Sequence, residues 1–139
     1  GTVARHNPDP VRIYLMEARP GPPLPHAWVE AGQGGARVST VNLVRPGRFL
    51  MIAGEEGREW CEAAVRAAAD AGVPLDAVTI GHAKGDWLDP RLTWVTHRGH
   101  SPSGAVLVRP DRFVAWRTEG TASNPHDEMR SVLAQVLAR

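Results

Sequence analysis

The sequence predicts a single α/β domain whose mixed central sheet is flanked by helices, with a βαβ unit preceding a ββα unit. Three observations lead there. Phe49-Leu50-Met51-Ile52-Ala53 is an unbroken apolar run, the pattern of a strand buried on both faces. An alanine-rich helical stretch follows it, and then a second interior run, Ala77-Val78-Thr79-Ile80. Near the end, two closely spaced strands precede a stretch with apolar residues at i, i+3, i+4, i+7 and i+8.

Taken in order, the first 25 residues read as a lead-in. Six of the twelve prolines fall between Pro8 and Pro25. Val11-Arg12-Ile13-Tyr14-Leu15 alternates like a half-buried strand, and Pro20-Gly21-Pro22-Pro23-Leu24-Pro25 is restricted to extended or polyproline geometry. A stiff connector of this kind suits a junction between two packed bodies. The domain proper is expected over residues 26–139.

Trp28-Val29-Glu30, a glycine-rich turn from Gly32 to Gly35, and Arg37-Val38-Ser39-Thr40 predict a hairpin. Gly54-Glu55-Glu56-Gly57 ends the first interior strand and places acidic residues where a helix begins. Cys61, Ala64, Val65 and Ala68 form the apolar stripe of that helix, which ends near Gly72 and Pro74. Residues 81–100 read as a loop with one short helix around Leu92 to Val95. Ala105–Val108 and Phe113–Arg117 are strands joined by a tight turn at Arg109-Pro110-Asp111-Arg112. Asn124, or the residues just after it, can cap a closing helix with Met129, Val132, Leu133, Val136 and Leu137 on its apolar face. A βαβ unit followed by ββα is the order of a thioredoxin-like fold.

Composition narrows the function classes. Among 139 residues the formal charge is only +1, with basic and acidic residues interspersed, so no footprint for nucleic acid or anionic lipid is visible. No apolar run approaches the roughly 20 residues needed to span a bilayer. Cys61 is the one cysteine, which excludes an internal disulfide and agrees with a cytoplasmic setting.

The thioredoxin-like order makes redox chemistry the first question. That chemistry needs a Cys-x-x-Cys where the first interior strand meets its helix. Here Cys61 lies a full turn inside the helix, on its apolar side and without a partner thiol, so the redox cysteines are absent. Pro102 lies near the place of the fold's usual cis-proline, but the following strand is entered through Ser103-Gly104. Nucleotide fingerprints are missing too: the glycines at 32–35 sit in a hairpin turn, and Lys84 is followed by Gly85-Asp86 rather than completing a phosphate loop. His82, Asp86, Asp89, His97 and His100 fall within twenty residues but lack the spacing of a ligand motif, and read as surface imidazoles and loop-capping aspartates. Ser39, Ser101 and Ser103 lie in hairpin or loop contexts without a nucleophile elbow. Trp28, Trp60, Trp87, Trp94 and Trp116 are spread over different elements, as packing residues are. Catalytic, cofactor-binding and metal residues are therefore all expected to be none.

Three strings occur in order: Pro25-His26-Ala27-Trp28-Val29, Arg37-Val38-Ser39-Thr40-Val41-Asn42-Leu43, and Gly104-Ala105-Val106-Leu107-Val108-Arg109-Pro110-Asp111-Arg112-Phe113-Val114-Ala115-Trp116-Arg117. Asp89-Pro90-Arg91 with Trp94 fits the same pattern. Together they resemble the C-terminal region of FAD-dependent aromatic-ring hydroxylases, the phenol and 2,4-dichlorophenol 6-monooxygenase group. The resemblance implies a thioredoxin-like domain without redox cysteines, bound to FAD-binding and substrate domains upstream and open to a share in a homodimer. It implies FAD and NAD(P)H for the parent enzyme, which would hydroxylate a phenolic ring with O2, and no cofactor on this chain. The alternatives are a stand-alone thioredoxin-like binding module or split flavoprotein subunit, and, more remotely, a one-cysteine peroxidase or reductase using Cys61.

Overall fold

The computed structural model describes the backbone of residues 12–14, and residues 22–32, 34–98, 100–120 and 122–137. Among them the strands are β1 (Arg12–Tyr14), β2 (Trp28–Glu30), β3 (Arg37–Ser39), β4 (Phe49–Gly54), β5 (Leu75–Gly81), β6 (Trp87–Leu88), β7 (Ala105–Val108) and β8 (Val114–Thr118). The helices are α1 (Arg58–Ala71), α2 (Thr93–His97) and α3 (Pro125–Leu137). All eight strands join one mixed sheet in the order β1-β8-β7-β4-β5-β6-β2-β3.

Its centre is what the apolar runs predict. β4 and β5 are parallel, with Met51 opposite Ala77 and Ile52 opposite Val78, and α1 makes the crossover between them. β7 lies antiparallel on the other side of β4, and β8 antiparallel to β7. β4 is buried along most of its length because both its faces are covered. Met51 and Ala53 point to α1 and α3, joining a core with Trp60, Trp116, Met129 and Leu133. Leu50 and Ile52 point the other way, joining Leu24, Val29, Val44, Ile80 and Trp94. The period of two in side-chain direction thus divides one strand between two cores.

The helix ends follow local chemistry. α1 closes at Gly72, whose left-handed conformation (φ 70°) lets its N–H reach back to the Ala68 and Ala69 carbonyls. Asn124 caps α3 as expected, its Oδ1 accepting from the Asp127 N–H at 3.1 Å, with Asp127 and Glu128 in the first turn. The 109–112 turn is held by the Arg109–Asp111 ion pair and by Asp111 accepting from the Phe113 N–H, with Arg112 in the left-handed region (φ 73°).

Several details differ from the sequence reading. Val65 and Leu137, assigned to apolar stripes, are 49% and 47% exposed. The buried side of α1 is instead Trp60, Cys61, Ala63, Ala64, Ala67 and Ala68, because small alanines let the helix sit close and roll toward the larger Trp60. β5 begins two residues earlier than predicted, at Leu75. β6 and a single 3-10 turn at Thr40–Leu43 had no counterpart in the reading. Of the lead-in, Arg12–Tyr14 pairs antiparallel with β8, Pro23 bridges to Phe113 and Leu24 is buried. The parts of that prediction on residues 1–11 and 15–21 lie outside the described residues. Among the described residues no helix is long and apolar enough to cross a membrane.

Candidate functional site

The β4–α1 junction is where a redox pair would sit in this order of elements, and it is packed shut. The Gly54 N–H donates to the Gly104 carbonyl and the Glu56 N–H to the Pro102 carbonyl, both at 2.9 Å. A Cβ on Gly54 would lie 2.1 Å from the Pro102 carbonyl oxygen, and one on Gly57 2.9 Å from that of Gly104. Pro102 therefore does lie against the junction, joined through backbone contacts.

Cys61 is one turn further on and buried, its Sγ 3.3 Å from the Val78 carbonyl oxygen, to which the thiol donates. Burial pushes the thiol pKa up to about 12, reinforced by the nearby Asp86 carboxylate. A thiol held protonated at neutral pH is a poor nucleophile.

The loop after β5 holds most of the polar residues singled out from the sequence, each in a different role. Asp86 Oδ2 accepts from the Thr79 N–H at 2.9 Å, and the Asp86 N–H donates to Thr79 Oγ1 at 2.8 Å. This reciprocal clamp closes the loop, and Arg58 donates to Asp86 Oδ1 from the first residue of α1. Burial alone would raise the Asp86 pKa, but the Thr79 N–H and the Arg58 guanidinium outweigh it and the net shift is downward. Asp89 is fully buried and accepts from the Val95 N–H, fixing the start of α2. His82 and His97 donate through Nδ1 to the Asp89 and Thr93 carbonyls. Among the described residues no three His, Cys, Asp or Glu side chains come together as a metal site.

Ser39 Oγ accepts from the Val41 N–H and lies 2.6 Å from His26 Nδ1, a pair that sequence reading did not propose. His26 meets the serine through Nδ1 and packs edge-on against Trp28, so its geometry is not that of a base oriented by a carboxylate. Ser101 Oγ donates to the Glu119 carbonyl and lies 3.2 Å from Ser103 Oγ. Three tryptophans, Trp60, Trp94 and Trp116, are core residues, whereas Trp28 is 48% exposed.

Sequence reading also missed a buried ion pair. Arg98, with its side chain 3% exposed, donates from Nη1 to Glu55 Oε1 at 3.1 Å and from Nε to the His100 carbonyl at 3.0 Å. Glu55, expected to favour the start of α1 through its charge, instead ties the β4–α1 junction to the segment after α2. The two partners are 43 residues apart, so no local pattern announces them.

His100 is also strongly perturbed. Its Nδ1–H donates to the Ser101 carbonyl at 2.7 Å, and the buried Nε2 finds no partner among the described residues. Burial lowers its pKa from 6.5 to about 4; the Arg98 and Arg117 charges add to this, while the Ser101 carbonyl and Glu55 oppose it. The folded state thus favours the neutral ring, and unfolding takes up a proton between these two values. Stability from this group is fully present above about pH 6.5 and lost as pH falls toward 4, on the order of 3 kcal/mol. Urea unfolding from pH 7 to pH 4 is expected to show this loss, and His100→Asn to flatten the slope in that window. An unchanged slope in the variant would locate the proton uptake elsewhere; the depressed Asp86 pKa acts mainly below its ordinary value of 3.8.

The family model described as the C-terminal part of aromatic-ring hydroxylases matches residues 17–139. The chain is 41% identical over 133 residues to tetracenomycin A2 monooxygenase-dioxygenase of Streptomyces glaucescens, covering 95% of this chain and 23% of that protein. It is 42% identical over 130 residues to 2,4-dichlorophenol 6-monooxygenase of Delftia acidovorans, covering 94% and 22%. Among solved structures, aklavinone-11 hydroxylase in complex with FAD and aklavinone superposes with a TM-score of 0.74 at 38% identity, covering 84% of this chain and 21% of that one. The chain therefore spans between a fifth and a quarter of the length of these relatives. It belongs to the C-terminal family of the aromatic-ring hydroxylases.

Proposed function

We propose that the chain is the non-catalytic, thioredoxin-like C-terminal domain of a flavin-dependent aromatic-ring monooxygenase. It packs on FAD-binding and substrate domains that precede it in the same polypeptide. The observation carrying this reading is the match to the C-terminal family over residues 17–139 together with coverage of only 22–23% of the relatives' length. Within the reading, residues 1–25 are the lead-in and residues 26–139 the domain, in a cytoplasmic enzyme with room for a homodimer contact.

The thioredoxin-like assignment is supported by the order β8-β7-β4-β5, with β4 and β5 parallel and β7 antiparallel to β4. α1 and α3 share one face of that sheet. Loss of redox function is supported by the single, buried, weakly acidic Cys61.

The parent reaction in this reading is NAD(P)H- and O2-dependent insertion of one oxygen atom into a phenolic ring. The start of α1 does not offer FAD a phosphate site. A phosphate cradle needs open backbone N–H groups at a helix N-terminus. At α1 the preceding Glu56 N–H is taken by Pro102, the Pro102–Gly104 backbone closes over the turn, and Glu55 and Glu56 add negative charge. No step of the reaction is assigned to this chain.

The test is spectroscopic. The chain purified alone is expected to be colourless, with Cys61 slow to react with a thiol reagent in the native state. The longer polypeptide is expected to carry flavin and to hydroxylate a phenol at the expense of NAD(P)H. Flavin retained by the isolated chain, or rapid native modification of Cys61, would sink the proposal.

A further inference from the structure

One end of the sheet lacks a layer that the rest of it has. Val29 belongs to the core with Leu50 and Ile52, so Trp28 and Glu30 point to the opposite face, the side of α1 and α3. Leu88 pairs with Glu30 across β6 and β2, and Arg37 pairs with Glu30 across β2 and β3, which puts both on that same face. α1 packs on β4 and β5 and α3 packs on α1; neither makes a comparable contact with β6, β2 or β3. Among the described residues, no helix covers this third of the face.

What stands there is not an ordinary solvated surface. Trp28 is 48% exposed, the largest of the exposed apolar side chains. It is held rather than loose: the His26 ring meets it edge-on at 5.0 Å, and the Arg37 guanidinium lies 5.7 Å from its ring centroid. Beside it is a recess of about 340 Å³ lined by Glu30, His82, Ala83, Leu88 and Pro90. A fixed aromatic anchor beside a recess of mixed lining, with Leu88 and Pro90 next to Glu30 and His82, has the composition of an interface centre.

The rival surface is weaker. The groove between α1 and α3 is smaller, about 190 Å³, and its lining, Leu133 and Leu137 with small alanines between Asp70 and Arg130, holds no aromatic anchor. Val65 is an exposed apolar side chain of the kind any surface carries.

The geometry points to the uncovered face of β6, β2 and β3, centred on Trp28, as the surface on which the preceding catalytic body of the same polypeptide docks. This rests on the proposed function. Its occupant follows from how much chain is missing: the relatives are more than four times as long as the part matched here, and the family match places this part at their C-terminal end. The bulk of the polypeptide is thus tethered to this domain. Inter-domain contacts are mixed apolar and polar, as this patch is, and tethering lets a modest contact hold.

The test is residue-resolved hydroxyl-radical oxidation of the longer polypeptide, read by mass spectrometry. Trp60 and Trp94 serve as internal buried references and Val65 as the exposed one. Docking predicts that Trp28 oxidises at a rate close to that of Trp60, several-fold slower than its exposure in this domain would allow. In Trp28→Ser and Arg37→Glu variants, limited proteolysis should release the C-terminal domain several-fold faster, with the folded core of the released domain intact. Rapid oxidation of Trp28 in a polypeptide whose spectrum shows bound flavin would overturn the docking surface while leaving the proposed function standing. Protection that fades on dilution would also overturn it, by identifying a second copy as the occupant. Absence of flavin from the longer polypeptide would overturn the proposed function first, and this inference with it.

Discussion

Replacement of Trp60 by alanine is expected to cost about 3–5 kcal/mol of folding stability, the range for removing a large aromatic from a packed core. The side chain is fully buried on the inner face of α1. It meets Trp116 of β8 in an edge-to-face contact at 5.3 Å, and its Nε1–H donates to the Gly120 carbonyl at 3.1 Å. Truncation would therefore remove three things together: apolar burial, the aromatic contact, and the shorter of two hydrogen bonds to the Gly120 carbonyl, which keeps the Thr118 hydroxyl. The surrounding side chains, Ala63, Ala64 and Ala67 of α1 among them, are too small to fill the space. Trp60→Phe should lose less, about 1–2 kcal/mol, because the ring stays and mainly the Gly120 hydrogen bond goes. Thermal and urea unfolding of both variants would check this. A loss below about 1 kcal/mol for Trp60→Ala would show that α1 does not dock on the sheet through this residue.

Trp60 also illustrates what was legible beforehand. It immediately precedes Cys61 in a stretch rich in alanine, where the apolar contrast around the helix is weak. The sequence stripe through Cys61, Ala64, Val65 and Ala68 was therefore rotated from the true buried face, and Val65 came out exposed. Strands with stronger signals read correctly: β4 as a continuous apolar run, and β7 and β8 as a hairpin about a turn whose residues stabilise it locally. α3 was legible down to its Asn124 cap, because capping is a contact over three residues. What escaped was long-range or very short. β6 is two residues inside a glycine- and charge-rich loop, too brief for any period to register. The clamp of Asp86 on Thr79, and the pairing of Glu55 with Arg98, depend on which segments the sheet brings together. That the chain has one cysteine was readable directly; the packing of the Pro102–Gly104 backbone against the β4–α1 junction required coordinates.

The Glu55–Arg98 pair should produce the second large effect. Breaking a buried ion pair by deleting one partner costs about 3–5 kcal/mol, mostly from the charge left behind. Arg98 is nearly inaccessible, but Glu55 retains 17% exposure, so water can reach part of the gap and Glu55→Ala belongs near the lower end. Arg98 would keep only its bond to the His100 carbonyl. Glu55→Gln preserves an oxygen acceptor and should lose less. Replacing both partners with apolar residues should recover much of the loss, since no charge is then stranded. The two single changes also move His100 in opposite senses. Glu55 raises its pKa and Arg98 lowers it, so Glu55→Gln should push the His100 proton uptake to lower pH and Arg98→Met to higher pH. NMR titration of the imidazole, alongside urea unfolding of the cycle, reads both effects. Equal stability of wild type and Glu55→Ala, with His100 unmoved, would mean that the ion pair does not join the β4–α1 junction to the segment after α2. Opposed shifts in the two variants are the signature that a merely tolerant surface pair would not give.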